Sequence, residues 1–137
     1  MARLLVALAI VAVAVAVAMV VRRRGPDAPT QRRGSVPAQL DRNDFPRPES
    51  AWLVAVFTSA TCDTCADVAA KVAVLASDDV AVTEVEYGAS RSVHDRYRID
   101  AVPLTVIADA AGVVRRHFLG PVTATDLWAA VAAAREG

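Results

Sequence analysis

The pattern of apolar and polar positions changes character three times along the chain. Residues 4–21 carry no charged or polar side chain. As a helix, this run would reach roughly 27 Å, close to the hydrocarbon thickness of a bilayer. It has no polar face to show water, so it does not read as a surface helix. Its valines are no obstacle, because lipid offers backbone groups no alternative partner. Residues 25–35 (GPDAPTQRRGS) then follow no period, and Pro, Gly and polar side chains mark a tether.

From residue 36 onward, short apolar runs alternate with helical spacing. Residues 36–40 read as a short edge strand, residues 41–45 turn away, and Pro46 and Pro48 interrupt the chain. Residues 51–58 (AWLVAVFT) form a nearly continuous apolar run, the mark of a strand covered on both faces. Residues 59–61 make an exit loop, after which Val68, Val72 and Leu75 fall at helical spacing with Lys71 opposite. Residues 80–85 predict a second strand, and residues 92–95 (SVHD) offer a capping box for a short helix ending near Tyr97. Residues 104–108 and 113–119 predict two more strands, and the short turn at 109–112 makes them an antiparallel hairpin. Residues 123–126 (TATD) cap a last helix that turns Leu127, Val131 and Ala134 inward. A β-α-β unit followed by a hairpin and a helix gives a mixed sheet with helices on both faces. The fold class is a small α/β/α sandwich.

Composition adds a limit on partners. The net charge is zero, which gives no reason to expect nucleic acid. Hydrophobic residues make up 55% of the chain, and much of that excess is the Ala and Val of the first twenty positions. Charge around the apolar run then sets an orientation. Only Arg3 precedes it, whereas Arg22, Arg23, Arg24, Arg32 and Arg33 follow. The positive-inside rule leaves the C-terminal part in the cytoplasm. A cleaved signal would carry its basic residues before the run, and a cleavage site at Ala16 and Ala18 would fall inside it, so an uncleaved anchor is expected. The expected organisation is an anchor with a basic flank at 1–24, a linker at 25–35 and a soluble domain at 36–137. The localisation that follows is a single-pass cell-membrane protein with a cytoplasmic domain.

The chain has two cysteines, Cys62 and Cys65, at the point where the apolar strand hands over to a helix. A bridge between them closes a four-residue loop and removes little chain entropy, so the pair is a poor staple. Half a metal site is a second reading, but no second cysteine pair exists, and His94 and His117 contribute only if the fold brings them close. A redox pair suits the position best. Near a helix N-terminus, Cys62 is favoured as a thiolate, the nucleophilic form. Cys65, three residues on along the first turn, stands next to it and can resolve a mixed disulfide.

With those elements in place, residues 36–134 resemble the thioredoxin family. The resemblance rests on the strand WLVAVF, on Cys62-Asp63-Thr64-Cys65, on the stretch from Tyr97 to Pro103 (YRIDAVP), and on Gly120. It implies a thioredoxin-like three-layer sandwich behind one transmembrane helix, as in small single-anchor thioredoxin-like proteins of bacteria. It also implies a cis bond before Pro103, packing of that proline on the disulfide, and hydrogen bonds from the Val102 backbone to a bound peptide. Cys62 and Cys65 are then the catalytic pair, with Val102, Pro103 and Thr61 the substrate contacts. No cofactor and no metal are called for.

The sequence departs from the family pattern at four places. Thr61 stands where the family usually has Trp, and Asp63-Thr64 where Gly-Pro is common. Val56 holds the place of a buried Asp, and Glu84 that of a nearby Lys. Without the buried acid, activation of Cys65 is expected to be slower or to run through water. Trp52 and Trp128 read as packing residues, His94 and His117 as surface or partly buried, and Arg115 and Arg116 as a solvated face. The expected function is a membrane-tethered thiol–disulfide oxidoreductase whose partners are protein dithiols and disulfides. The alternative is a non-enzymatic binding module with a redox-sensitive cysteine pair.

Overall fold

The computed structural model describes residues 11–15 and 34–137. The chain divides into two units, Met1–Arg32 and Arg33–Gly137. In the first, residues 11–15 are helical. Among the described residues no helix is long and apolar enough to cross a membrane. The rest of the expected anchor at 1–24, and the expected linker up to residue 33, lie outside the described residues.

The second unit opens with a 3₁₀ turn, Arg42–Asp44, and continues as β1 (Trp52–Thr58), α1 (Cys65–Ala73), β2 (Val80–Glu86), α2 (Arg91–Tyr97), β3 (Leu104–Asp109), β4 (Val114–Leu119) and α3 (Ala124–Glu136). The four strands form one sheet in the order β2-β1-β3-β4. β1 pairs parallel with β2, from Trp52↔Val80 to Thr58↔Glu86, and antiparallel with β3, from Trp52↔Asp109 to Phe57↔Leu104. A parallel pair needs a crossover connection, which α1 supplies. β3 and β4 form the expected antiparallel hairpin.

The central position of β1 explains its unbroken apolar run. Successive side chains of a strand point to opposite faces. Leu53, Ala55 and Phe57 pack with Leu40, Phe45, Leu104 and Val106 under Val93 and Tyr97 of α2. Val54 and Val56 pack on the other face with Val68 and Val72 of α1 and Leu127 and Val131 of α3. Leu75, just beyond α1, also joins that second cluster, as its spacing predicts. Two apolar layers flanking one sheet make the mixed α/β sandwich.

Three local expectations are corrected. Residues 36–40 do not form a strand. They touch the sheet through a single bridge, Gln39↔Val113, although Leu40 is buried as a strand residue would be. The hairpin turn holds this segment. Gly112 has φ +81°, its carbonyl accepts the Leu40 N–H at 2.8 Å, and a Cβ there would lie 2.0 Å from the Leu40 carbonyl oxygen. Only glycine fits that approach. Secondly, Ser92 lies inside α2, and Ser90 is the N-cap without a side-chain capping bond. Glu86 serves the entry instead, its carboxylate accepting the Ala89 N–H at 2.9 Å and its carbonyl the Ser90 N–H at 2.8 Å. Thirdly, Trp128 is 55% exposed, on the outer side of α3, whereas Trp52 packs against the core as expected. The α3 cap matches its sequence, with Thr123 Oγ1 accepting from the Asp126 N–H at 3.1 Å.

Candidate functional site

β1 ends at Thr58 and the chain tightens at once. The Cys62 N–H donates to the Ser59 carbonyl at 3.1 Å, and the Cys65 N–H to the Cys62 carbonyl at 3.4 Å. α1 therefore opens at Cys65, and Cys62 sits in the turn just before it rather than on the first helical turn. Cys62 and Cys65 are joined as a disulfide with their Cα atoms 5.5 Å apart. The two sulfurs are not equivalent. Cys62 is half-buried and Cys65 only 3% exposed, so a partner meets Cys62 first. The N-cap Thr64 makes no side-chain capping bond, which leaves the positive end of α1 facing the turn that carries Cys62. In the reduced form that end favours a thiolate.

The peptide bond between Val102 and Pro103 is cis, as the resemblance implies. Beside the disulfide turn lies a cleft of about 280 Å³ whose walls include Ser59, Thr61, Ala101 and Val102. Thr61 and Val102, far apart in sequence, thus share one surface. Pro103 is buried behind that wall, and its carbonyl accepts the Gly120 N–H at 2.8 Å, which ties the fourth part of the sequence signature to the third.

The acid that the family pattern would place beneath the pair is absent. Val56 is 1% exposed, sits in the apolar cluster, and pairs in register with Glu84, so the two departures are neighbours in space. Glu84 is exposed and accepts a hydrogen bond at 2.7 Å from Oγ1 of Thr58. Thr105, on the other side of Val56, is fully buried, and its hydroxyl has no partner among the described residues. Among those residues, no carboxylate lies in the core.

Sequence reasoning missed His94. Expected at or near the surface, it is 2% exposed and lines the cleft together with Tyr87. Its ring stands edge-on to Phe57 and to Tyr87, with centroids 5.3 Å away in each case. The signal was the position of His94 one turn before Tyr97, on the face of α2 that meets the sheet. His117 is exposed, as expected. Tyr97 ties the N-terminal turn to α2. Its hydroxyl accepts the Asp41 N–H at 2.9 Å and donates to Asp44, while its ring stacks on Phe45. Burial raises its pKa first, and the hydrogen bond with Asp44 adds to that.

Glu86 links the two loops around the cleft. The amides of Gly88 and then Ala89, with a further contribution from Ala60 in the disulfide loop and the charge of His94, hold its carboxyl below the usual range. A depressed carboxyl stabilises the fold above the unfolded glutamate pKa of about 4.3 and loses that contribution as pH falls through the folded value. Glu86→Gln is therefore expected to lower the Tm at pH 7, with the difference from wild type closing as melts are repeated toward pH 3. A gap that stays constant with pH would assign the effect to packing.

Among the described residues no group of three His, Cys, Asp or Glu side chains is placed to hold a metal ion. No protein-family model matches the sequence, and no curated protein matches it. Solved structures do match. A mutant thioredoxin from Halobacterium salinarum NRC-1 is 21% identical with a TM-score of 0.52, covering 58% of this chain and 71% of that one. Thioredoxin O2 from Arabidopsis thaliana, in its oxidised state, is 23% identical with a TM-score of 0.52, over 63% and 76% of the two chains. Trxlp from Edwardsiella tarda is 14% identical with a TM-score of 0.50, over 58% and 81%. At these identities the likeness is one of architecture: a strand running into a bonded CxxC pair, a cis-proline and a mixed sheet between helices give this chain the thioredoxin fold.

Proposed function

We propose that the chain is a thiol–disulfide oxidoreductase acting on protein substrates and tethered to a membrane by its first helix. The observation that carries the reading is the bonded Cys62–Cys65 pair, with one sulfur accessible and the other shielded at the start of α1. In the reductive direction, the Cys62 thiolate attacks one sulfur of a substrate disulfide and expels the other as a thiolate, which takes up a proton. The Cys65 thiol gives up its proton to water, and its sulfur attacks Cys62 in the mixed disulfide. The substrate leaves with two thiols, and the protein keeps the disulfide. Two electrons have passed to the substrate, and an external dithiol must return them. Thr61 and the Val102 backbone would present the substrate, with Pro103 fixing the turn behind them.

Tethering rests on the sequence of residues 4–21, and the arginines that follow support a cytoplasmic domain. In that compartment the reaction would run as a reductase. An impermeant maleimide on intact cells tests this side of the proposal: Cys62 should stay unlabelled until the membrane is opened, and labelling in sealed cells would reverse the orientation. The activity is tested by mixing the reduced full-length chain with a disulfide-bonded protein such as insulin and following its reduction. The absence of a core carboxylate among the described residues favours a second reading, a binding module with a redox-sensitive pair. That reading predicts negligible turnover in the same assay.

A further inference from the structure

The cleft beside the disulfide is lined by acceptors and by aromatic faces. The His94 Nε2 lies 2.8 Å from the Val85 carbonyl oxygen. A carbonyl can only accept, so Nε2 carries a proton, and in the neutral ring Nδ1 is the acceptor. The residue is 2% exposed and lines the cleft. The hydroxyls of Ser59 and Thr61 are 3.1 Å apart and serve each other. Asp100 brings a carboxylate to the rim, with one oxygen held by the Ser35 N–H at 2.9 Å. Glu86, on β2, is not among the cleft's walls, and its carboxylate accepts the Ala89 N–H at 2.9 Å. Positive charge is also near: Arg91, on the same helix as His94, has its guanidinium over the Tyr87 ring at 5.4 Å, and the exposed Arg98 precedes Ile99 and Asp100 in the chain.

This set offers an imidazole, the Asp100 carboxylate and the Tyr87 ring. At about 280 Å³ the cleft falls just under the range of whole small-molecule sites, about 300–1,000 Å³, and suits one side chain. Its mouth is shared with Thr61, the residue before Cys62, so a chain reacting at Cys62 passes over it. A larger residue at position 61 would narrow that mouth.

We propose that this cleft is a specificity subsite that takes a lysine or arginine side chain adjoining the reactive cysteine of the substrate. The proposal rests on the oxidoreductase reading for its substrate class, while the binding itself does not depend on turnover. A cationic donor would meet the His94 Nδ1 and the Asp100 carboxylate, and its methylenes would lie along Tyr87 and Ile99.

The test uses the full-length chain, reduced, against three disulfide-linked peptides that differ only in the residue beside one cysteine: Lys, Ala or Glu. In single turnover the Lys peptide is expected to react about tenfold faster than the Glu peptide, the factor that 1.4 kcal/mol produces. Asp100→Asn, at an exposed position, should lower that ratio to about threefold or less, and His94→Leu should do the same. Equal rates for the three peptides on the wild-type chain would overturn the subsite. A second measurement separates the two readings. A cysteine-free Lys peptide added to the oxidised chain should shift the His94 ring resonances, and the Glu peptide should not. That shift without any turnover would retain the subsite and discard the enzyme; turnover without the shift would discard the subsite alone.

Discussion

Cys62→Ser is expected to lower the rate of disulfide reduction by roughly a thousandfold or more, the scale on which loss of a nucleophile is felt. Cys65→Ser should behave differently. Cys62 is the accessible sulfur and Cys65 is 3% exposed, so the first attack survives in that variant and the second does not. The product is a mixed disulfide between Cys62 and the substrate, visible as a covalent adduct by mass spectrometry or on a non-reducing gel. Cys62→Ser should form no such adduct. If the adduct appears on Cys65 of the Cys62→Ser variant instead, the roles are exchanged. If Cys62→Ser and wild type behave alike, the pair is not catalytic and the binding-module reading stands. Reduced wild type is the proper control for stability, since both variants lack the bridge. A four-residue loop gives the bridge only about 2 kcal/mol in the chain-entropy account, against about 3 for a fifteen-residue loop. Loss of activity on the thousandfold scale is therefore separable from loss of fold.

The same chemistry explains how much of the molecule could be read in advance. The apolar run at 51–58 marked β1 as central, because only a strand covered on both faces can be apolar at every step, and β1 is flanked by β2 and β3. The CxxC pair, the proline at 103 and Gly120 were legible because their chemistry depends on residue type. What escaped depended on long-range contacts. Residues 36–40 had the pattern of a strand, yet the Gly112 turn binds the segment by a bridge rather than a ladder. Ser92 had the pattern of a cap, but Glu86, from the preceding strand, already served the helix entry. α2 ends on Arg98 at φ 54°, a left-handed conformation that favours glycine, so no terminating signal was present in the sequence. His94 was the largest miss at the site. A polar residue on a short helix reads as exposed until its partner, the Val85 carbonyl nine residues away, is known. Thr61 departs from the family pattern. Its structural consequence is that the residue before Cys62 is a small wall of a cleft that also has the buried His94 and the exposed Tyr87 in its lining.

Phe57 joins the core to that cleft, and its truncation is expected to have the largest effect on stability. The side chain is fully buried in the cluster under α2 and meets the His94 ring edge-on at 5.3 Å. Phe57→Ala removes most of the ring's burial and leaves a cavity that a β-strand, pinned on both sides, cannot close. The expected cost is about 3–5 kcal/mol. Against a total stability of roughly 5–15 kcal/mol for a domain, this takes a large share and shifts the urea midpoint well down with the slope unchanged. Phe57→Leu keeps much of the volume and should cost less, about 1–2 kcal/mol, mainly the edge-on ring contact and some packing. The leucine variant is the sharper probe of the site. It folds at ordinary temperature, yet it removes one of the two rings that hold His94 in place. Its disulfide exchange on a peptide with Ala beside the cysteine should remain measurable, while its preference for Lys over Glu should fall. Retention of the full preference would mean that the Val85 hydrogen bond and Tyr87 suffice to hold the imidazole.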